Sequence, residues 1–149
     1  MHIAMRLALC GFVCFVTSLA LPAIQLQILG ETTSFFGWQA SIWAMGLGGS
    51  QLLQVFTERN IQNKEFILLG LLAVTNLAFV ATPLILKYWL RRKALFFVGA
   101  LSVSGLILGM LVSQIMTEIQ PELQLGYFVW LIGYGLLLIS IILALKPAH

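Results

Sequence analysis

The sequence predicts an all-α integral membrane protein with four transmembrane helices, and three observations carry this prediction. Hydrophobic residues make up 60% of the 149 residues, and charged residues only 9%. A typical soluble domain has about 25% charged residues, so this composition excludes a water-soluble fold. The charges avoid four long apolar stretches, and half of the Lys and Arg residues lie in the short segment 87–93.

The four predicted transmembrane helices are 5–24, 66–86, 94–116 and 127–145, in a single membrane domain that covers 1–149. Apart from Arg6 near the start, these stretches contain no Asp, Glu, Lys, Arg or His. A helix needs roughly 20 apolar residues to cross the hydrocarbon core, and a backbone in lipid must satisfy its own hydrogen bonds. A signal peptide is the alternative for the first stretch, because Ser18 and Ala20 resemble a small-residue cleavage site.

The positions of Lys and Arg predict the orientation. Short basic segments stay in the cytoplasm, so we expect the loop 87–93 and both termini on the cytoplasmic side. The segment 25–63, called the outer cap below, and the outer loop 117–126 then lie outside with all five acidic residues. We expect the basic loop to contact anionic membrane lipids, and nothing in the sequence supports binding of nucleic acid.

The outer cap is aromatic rather than hydrophilic. Apolar residues recur at helical spacing over 35–56, and Gly46, Gly48 and Gly49 interrupt the pattern. These features predict two short interfacial or re-entrant helices broken near 46–49, with a fifth span over 35–56 as the alternative. Aromatic side chains of this kind lie at headgroup depth and make the cap a candidate for recognition. The candidate residues are Trp38, Trp43 and Phe56.

Small residues form stripes on the predicted third and fourth helices. Such stripes let helices approach closely in lipid, where the hydrophobic effect no longer drives helix association. They predict surfaces for packing within the bundle or for homo-oligomer formation. The residues are Gly105, Gly109 and Ser113 on the third helix, and Gly126, Gly133 and Ser140 on the fourth.

Asn76 lies at the midpoint of the second predicted span, and Thr75 precedes it. A lone amide in hydrocarbon is costly, so we expect Asn76 to bond to a polar group of another helix or of a second copy. The candidate partners are Ser102, Ser104 and Tyr134. The alternative is contact with substrate or water. Pro83 is expected to kink the same helix and to free a carbonyl near Phe79, which Thr82 or water would satisfy.

Several classes of chemistry lack the residues they need. Ion-coupled exporters rely on a charged side chain within the membrane, and the four spans hold none beyond Arg6. The two histidines, His2 and His149, stand at the chain ends, and Cys10 and Cys14 do not form a redox motif. The sequence therefore predicts a protein that is not an enzyme, with no cofactor and no metal site.

Four short motifs carry a resemblance to known sequences. They are Gly37-Trp38, Thr75-Asn76-Leu77, Arg91-Arg92-Lys93, and the run from Gly126 to Trp130. With them the chain resembles small bacterial four-helix inner-membrane proteins. That pattern often has a proline directly after the asparagine, where this chain has Leu77 and a proline six residues later. The resemblance implies a location in the bacterial inner membrane and implies no activity.

The main functional hypothesis is a non-enzymatic protein that acts through homo-oligomer formation or through a membrane-protein partner in the bacterial envelope, with an effect on envelope integrity or permeability. The alternative is a passive channel, or a membrane protein that binds lipid or another hydrophobic ligand, built around the polar residues near Asn76. A third hypothesis is an immunity protein against a membrane-active toxin.

Overall fold

A computed structural model describes residues 2–28, 31–50, 53, 64–87, 92–115 and 122–145. Within these residues the protein is mostly helical, and four helical segments are long and apolar enough to cross a membrane. The prediction of four membrane-length apolar helices is confirmed. Residues 51–63 of the outer cap other than 53, including Phe56, lie outside the described residues, as do 88–91 of the basic loop and 116–121 of the outer loop.

The helices and strands follow one another in a simple order. Helix α1 (His2–Ala20) leads into strands β1 (Pro22–Ile28) and β2 (Glu31–Phe36). Helix α2 (Gly37–Trp43) continues as the π-helical segment Ala44–Gly48. The remaining elements are α3 (Lys64–Thr75), α4 (Leu77–Lys87), α5 (Arg92–Ile115), strand β3 (Glu122–Leu123) and α6 (Leu125–Leu145).

A three-stranded antiparallel sheet, in the order β2-β1-β3, corrects the predicted end of the first helix. The first span was predicted to run to residue 24, but the helix ends at Ala20 and β1 begins at Pro22. In β1 the apolar Ile24, Leu26 and Ile28 alternate with glutamines, which is the period of a strand. This alternation directly follows an apolar helix, so in the sequence the start of the strand reads as a continuation of the helix.

The sheet joins the start of the outer cap to the end of the outer loop. Strand β1 pairs with β2 through Gln25 and Ser34, and with β3 through Ile24 and Leu123. The side chain of Gln124 also donates to Gln25 Oε1 at 2.6 Å, although these residues are 99 positions apart. Both segments therefore lie at the same end of the helix bundle.

Helices α1 and α6 meet at two glycines. A Cβ added to Gly11 would lie 3.0 Å from the carbonyl oxygen of Gly133, so the two backbones are in contact there. Around this contact the bundle has an aromatic centre. Phe79 stacks on Phe15 with ring centroids 4.6 Å apart, and its ring centroid lies 4.4 Å from that of Tyr134.

The second span is interrupted at Asn76, between α3 and α4. The backbone N–H of Asn76 donates to the backbone carbonyl of Ala73 at 3.2 Å, and the backbone N–H of Phe79 donates to the backbone carbonyl of Asn76 at 3.1 Å. Both bonds join residues three positions apart, as in the tighter 3₁₀ helix. Pro83 instead lies inside α4. Thr82 donates to the carbonyl of Ala78 at 2.7 Å. The expected bond from Thr82 to the carbonyl of Phe79 is not formed.

The helical part of the cap differs from the predicted pair of short helices. The backbone stays helical from Gly37 through Gly48 and widens into a π-helix where the glycines were expected to break it. The residue after the π-helical segment, Gly49, has φ −64° and ψ −42°, which is ordinary right-handed helix. A wider turn accommodates the glycines without ending the helix.

Candidate functional site

Thr75 and Asn76, in the middle of the second span, bond to one face of α6. Trp130 Nε1 donates to Asn76 Oδ1 at 2.8 Å, and the Tyr134 hydroxyl donates to the same oxygen at 3.1 Å. Thr75 Oγ1 lies 2.7 Å from the Tyr134 hydroxyl and donates to the carbonyl of Leu72 at 2.6 Å. We call Thr75, Asn76, Trp130 and Tyr134 the Asn76 cluster.

Helical spacing on α6 explains why two donors reach one oxygen. Trp130 and Tyr134 are four residues apart, so their side chains lie on the same face. Their rings contact edge to face with centroids 4.9 Å apart, which holds both side chains in place. Trp130 is absent from the predicted polar site, although its position four residues before Tyr134 was the available signal.

The two predicted serines do not join the cluster. Ser102 is buried on α5 and donates to the carbonyl of Val98, four residues earlier in its own helix, at 2.9 Å. Ser104 is exposed. The predicted polar site therefore divides: Thr75, Asn76 and Tyr134 come together, whereas Ser102 and Ser104 lie elsewhere.

The contacts determine which way the Asn76 amide points. An indole N–H can only donate a hydrogen bond, so the Asn76 atom that contacts Trp130 must be the carbonyl oxygen. The Tyr134 hydroxyl contacts the same atom. The Asn76 NH₂ group then points away from α6, and it has no hydrogen-bond partner among the described residues.

A cavity of about 110 Å³ lies beside this amide, between the cap and the bundle, and we call it the cap cavity. Its wall is formed by the end of α1, β1, α2, the first residue of the π-helical segment, α3 and the start of α6. Most of its surface is apolar, with Leu69, Leu72 and Ala73 contributed by α3. Asn76 and Trp130 line it from the bundle side, and Ser41 lines it from the cap.

Tight packing of glycines places the cap over this cavity. A Cβ on Gly37 would lie 2.2 Å from the carbonyl oxygen of Ser18, so α2 begins in direct contact with the end of α1. A Cβ on Gly126 would lie 2.8 Å from the carbonyl oxygen of Pro22, which brings the start of α6 against the same connection. These close approaches set the positions of the cavity walls.

The small-residue stripes pack inside the chain. A Cβ on Gly105 would lie 2.5 Å from Cζ of Tyr134, and one on Gly109 would lie 2.7 Å from Leu131 Cδ2. The Gly109 carbonyl also accepts a hydrogen bond from the Tyr127 hydroxyl. Gly105 and Gly109 therefore both face α6, and the side chain of Ser113 lies outside the described part of the chain.

The stripe on α6 packs in the same way. A Cβ on Gly133 would lie 2.8 Å from the ring of Phe79. Ser140 is fully buried and donates to the carbonyl of Ala4 on α1 at 2.7 Å. Gly126 is buried as well. Gly126, Gly133 and Ser140 thus join the last helix to its neighbours in the same chain.

The cap also has an apolar surface that faces away from the bundle. Trp38 and Trp43 are each 50% exposed, and Phe36, Ile42 and Met45 are exposed beside them. Phe35 packs on Trp43 with ring centroids 5.4 Å apart. The predicted recognition residues Trp38 and Trp43 are therefore accessible.

Metal-binding and redox groups are sparse in the described part of the chain. No group of three or more His, Cys, Asp and Glu side chains comes together there. Cys10 is exposed, Cys14 is half-buried, and neither forms a disulfide.

No family model matches the chain, and no curated protein or solved structure matches it.

Proposed function

We propose that this protein is a non-enzymatic multi-pass membrane protein that binds a lipid or another hydrophobic ligand in the cap cavity. The cavity carries the proposal. Its wall is mostly apolar, it lies between the cap and the bundle, and it is lined by Asn76, whose side-chain NH₂ group has no hydrogen-bond partner among the described residues. Ligand sites typically combine apolar walls with a few polar groups that orient the ligand.

The proposed orientation puts the cavity at the outer side of the bacterial inner membrane. The segment 87–93 carries four basic residues at the end of α4, and the cap lies where α1 ends and α3 begins. With the basic loop and both termini in the cytoplasm, the cap and its cavity face the other side. At that depth the exposed Trp38 and Trp43 contact lipid headgroups, because aromatic side chains prefer the interface.

A passive channel past Asn76 has less support than ligand binding. Phe79, Tyr134 and Leu137 are fully buried in the bundle. They fill its centre with aromatic and aliphatic side chains, and Ser102 bonds within its own helix. A channel needs a polar or water-accessible path, and the described residues form none in this core.

The action through a second copy or another envelope protein stays a prediction. The small-residue stripes that motivated it are occupied by contacts within the chain, at Gly105, Gly109 and Gly133 for example. Crosslinking and native mass measurement in detergent test it directly. A stable multimer, or a membrane-protein partner in fixed stoichiometry, would support that hypothesis in addition to ligand binding.

A cavity-filling substitution tests the proposed ligand site. Ala73→Phe places a ring in the cavity, whereas Val74→Phe adds the same ring at the next position, which is exposed on the outside of α3. The background for both variants has Trp38, Trp43 and Trp89 replaced by Phe, so that Trp130 is the single fluorophore. The probe is a long-chain methyl ester dibrominated near its carbonyl end, because bromine quenches a nearby indole.

We expect saturable quenching of Trp130 in the background protein and in Val74→Phe, and an affinity at least about tenfold weaker in Ala73→Phe. Circular dichroism of both variants checks the fold. Quenching that is linear in probe concentration, or that is equal in the two variants, would mean that the probe contacts Trp130 from the surrounding micelle. Either result would contradict the proposal.

A further inference from the structure

We infer that the cap cavity selects a long-chain molecule with a neutral carbonyl oxygen, which accepts a hydrogen bond from the Asn76 NH₂ group. This inference rests on the proposed ligand-binding function and adds the chemical class of the ligand. The shared chemistry, a carbonyl on a hydrocarbon chain, occurs in lipid esters and in quinones with alkyl or isoprenoid tails.

The first step is the direction of the Asn76 amide. Its oxygen accepts from Trp130 at 2.8 Å and from Tyr134 at 3.1 Å, so both lone pairs of that oxygen are used within the protein. The NH₂ group has two hydrogens and no acceptor among the described residues. Every fully buried side-chain nitrogen and oxygen in the described residues has a hydrogen-bond partner, so this unpartnered nitrogen is not fully buried, and Asn76 is one of the residues that line the cavity.

The second step is whether the polar group of the ligand donates or accepts hydrogen bonds, and whether it is charged. The protein side offers hydrogen-bond donors, since an amide NH₂ can only donate. Among the described residues that line the cavity there is no Asp, Glu, Lys, Arg or His. An ionised headgroup in such a place has no counter-charge and loses its hydration, which costs far more than one hydrogen bond returns. The complementary group is therefore a neutral acceptor.

The third step is the size of the site. A volume of about 110 Å³ is well below the roughly 300–1,000 Å³ of sites that enclose a drug-sized ligand. The cavity therefore holds only the carbonyl end of a long molecule, and the rest of the hydrocarbon chain extends outside it. Leu69, Leu72 and Ile24 supply the apolar wall that such a segment contacts.

Water is the competing occupant. A buried water makes about three hydrogen bonds, and beside the Asn76 NH₂ group the described lining offers it the hydroxyl groups of Ser41 and Tyr127. Ser18 also lines the cavity, but its hydroxyl already donates to the carbonyl of Phe15 at 2.6 Å. A long-chain carbonyl compound accepts the same hydrogen bond from Asn76 and also covers the apolar wall, which water does not.

The test compares ligands that differ only in the acceptor. A radiolabelled long-chain methyl ester is bound to the intact protein in detergent and displaced by the unlabelled ester, by a benzoquinone with an alkyl tail, and by an alkane of equal length. We expect both carbonyl compounds to displace the label at concentrations about three- to thirtyfold lower than the alkane, as one hydrogen bond in a membrane protein implies. The stronger of the two identifies the source, ester or quinone.

Asn76→Asp sharpens the test, because the two side chains have the same shape. One carboxylate oxygen still accepts from Trp130 and Tyr134, and the other replaces the NH₂ group. An ionised carboxylate has no proton to donate, so we expect the preference for carbonyl over alkane to disappear at high pH. It should return at low pH, where the protonated acid donates again. The alkane affinity serves as the internal control for folding.

The outcomes separate the inference from the function on which it rests. If the alkane displaces the label as well as the carbonyl compounds do in the unmodified protein, the acceptor is irrelevant and the inference is wrong, while ligand binding stands. A carbonyl preference that survives in Asn76→Asp at high pH would also overturn the inference. If no displaceable binding occurs and Ala73→Phe has no effect, the proposed function itself fails.

Discussion

Replacing Gly105 with alanine tests the contact between α5 and α6. The added Cβ would lie 2.5 Å from Cζ, 2.6 Å from Cε1 and 2.7 Å from the hydroxyl oxygen of Tyr134. The tyrosine cannot simply move aside. Its hydroxyl is bonded to the Asn76 cluster, and its ring centroid lies 4.4 Å from that of Phe79. Either the two helices separate or the cluster breaks.

The magnitude follows from these distances. Carbon atoms in good contact are about 3.5–4.0 Å apart, so the new methyl group overlaps the ring by about 1 Å. Overpacking of this kind costs about 1–3 kcal/mol. Each hydrogen bond lost from Tyr134 adds about 0.6 kcal/mol, while alanine returns about 0.8–1 kcal/mol of helix propensity. We expect Gly105→Ala to lower the free energy of unfolding by about 1–3 kcal/mol.

Gly99→Ala is the matched control on the same helix. A Cβ at position 99 would lie 3.6 Å from Ile141 Cγ2, which is an ordinary contact. This variant keeps the gain in helix propensity without the overlap, so we expect its stability to be unchanged or up to about 1 kcal/mol higher. Both variants are unfolded with sodium dodecyl sulfate in mixed micelles, and the transition is followed by near-ultraviolet circular dichroism.

Two results would refute the reasoning about Gly105. Equal unfolding free energies for Gly105→Ala and Gly99→Ala would mean that Tyr134 does not hold its observed position against α5. A loss of oligomeric mass in Gly105→Ala at unchanged unfolding free energy would mean that the glycine faces a second chain.

Two further predictions concern the Asn76 cluster and the position of the cap. Tyr134→Phe removes a hydroxyl from the cluster and should destabilise the protein by about 0.6–1.7 kcal/mol in the same unfolding assay; unchanged stability would contradict the hydrogen bond to Asn76. Gly37→Ala puts a Cβ 2.2 Å from the carbonyl oxygen of Ser18 and should raise amide hydrogen exchange over 37–43, whereas Gly46→Ala, with nothing within 4 Å, should leave it unchanged. Equal exchange in both variants would argue against the observed contact between α2 and α1.

The hydrogen bond between Asn76 and Tyr134 could be predicted from the sequence for a physical reason. A polar side chain in the middle of an apolar span must find a partner, and few polar side chains lie at a similar depth in the other spans. Ser102 was an equally good candidate by depth. A serine on a helix can bond to its own backbone four residues earlier, which is what Ser102 does with Val98.

The sheet was not predicted because β3 is very short and β1 directly follows a long apolar stretch. β3 has only two residues, and a single residue separates β1 from the end of the apolar first helix. Their pairing joins segments that are far apart in the chain, as Gln25 and Gln124 show. No local pattern in either segment specifies the other, so only the folded chain brings them together.

The distribution of charge by itself determined that this chain has four membrane-length helices, because charged groups are excluded from hydrocarbon and helices must match its thickness. Only the tertiary structure decided what the small residues and the Asn76 side chain contact. Gly105 and Gly133 receive aromatic rings of the same chain, and Gly37 holds the cap against α1. The cap cavity is lined by residues from several helices and a strand, so it depends on the distances between these segments, which no single segment encodes.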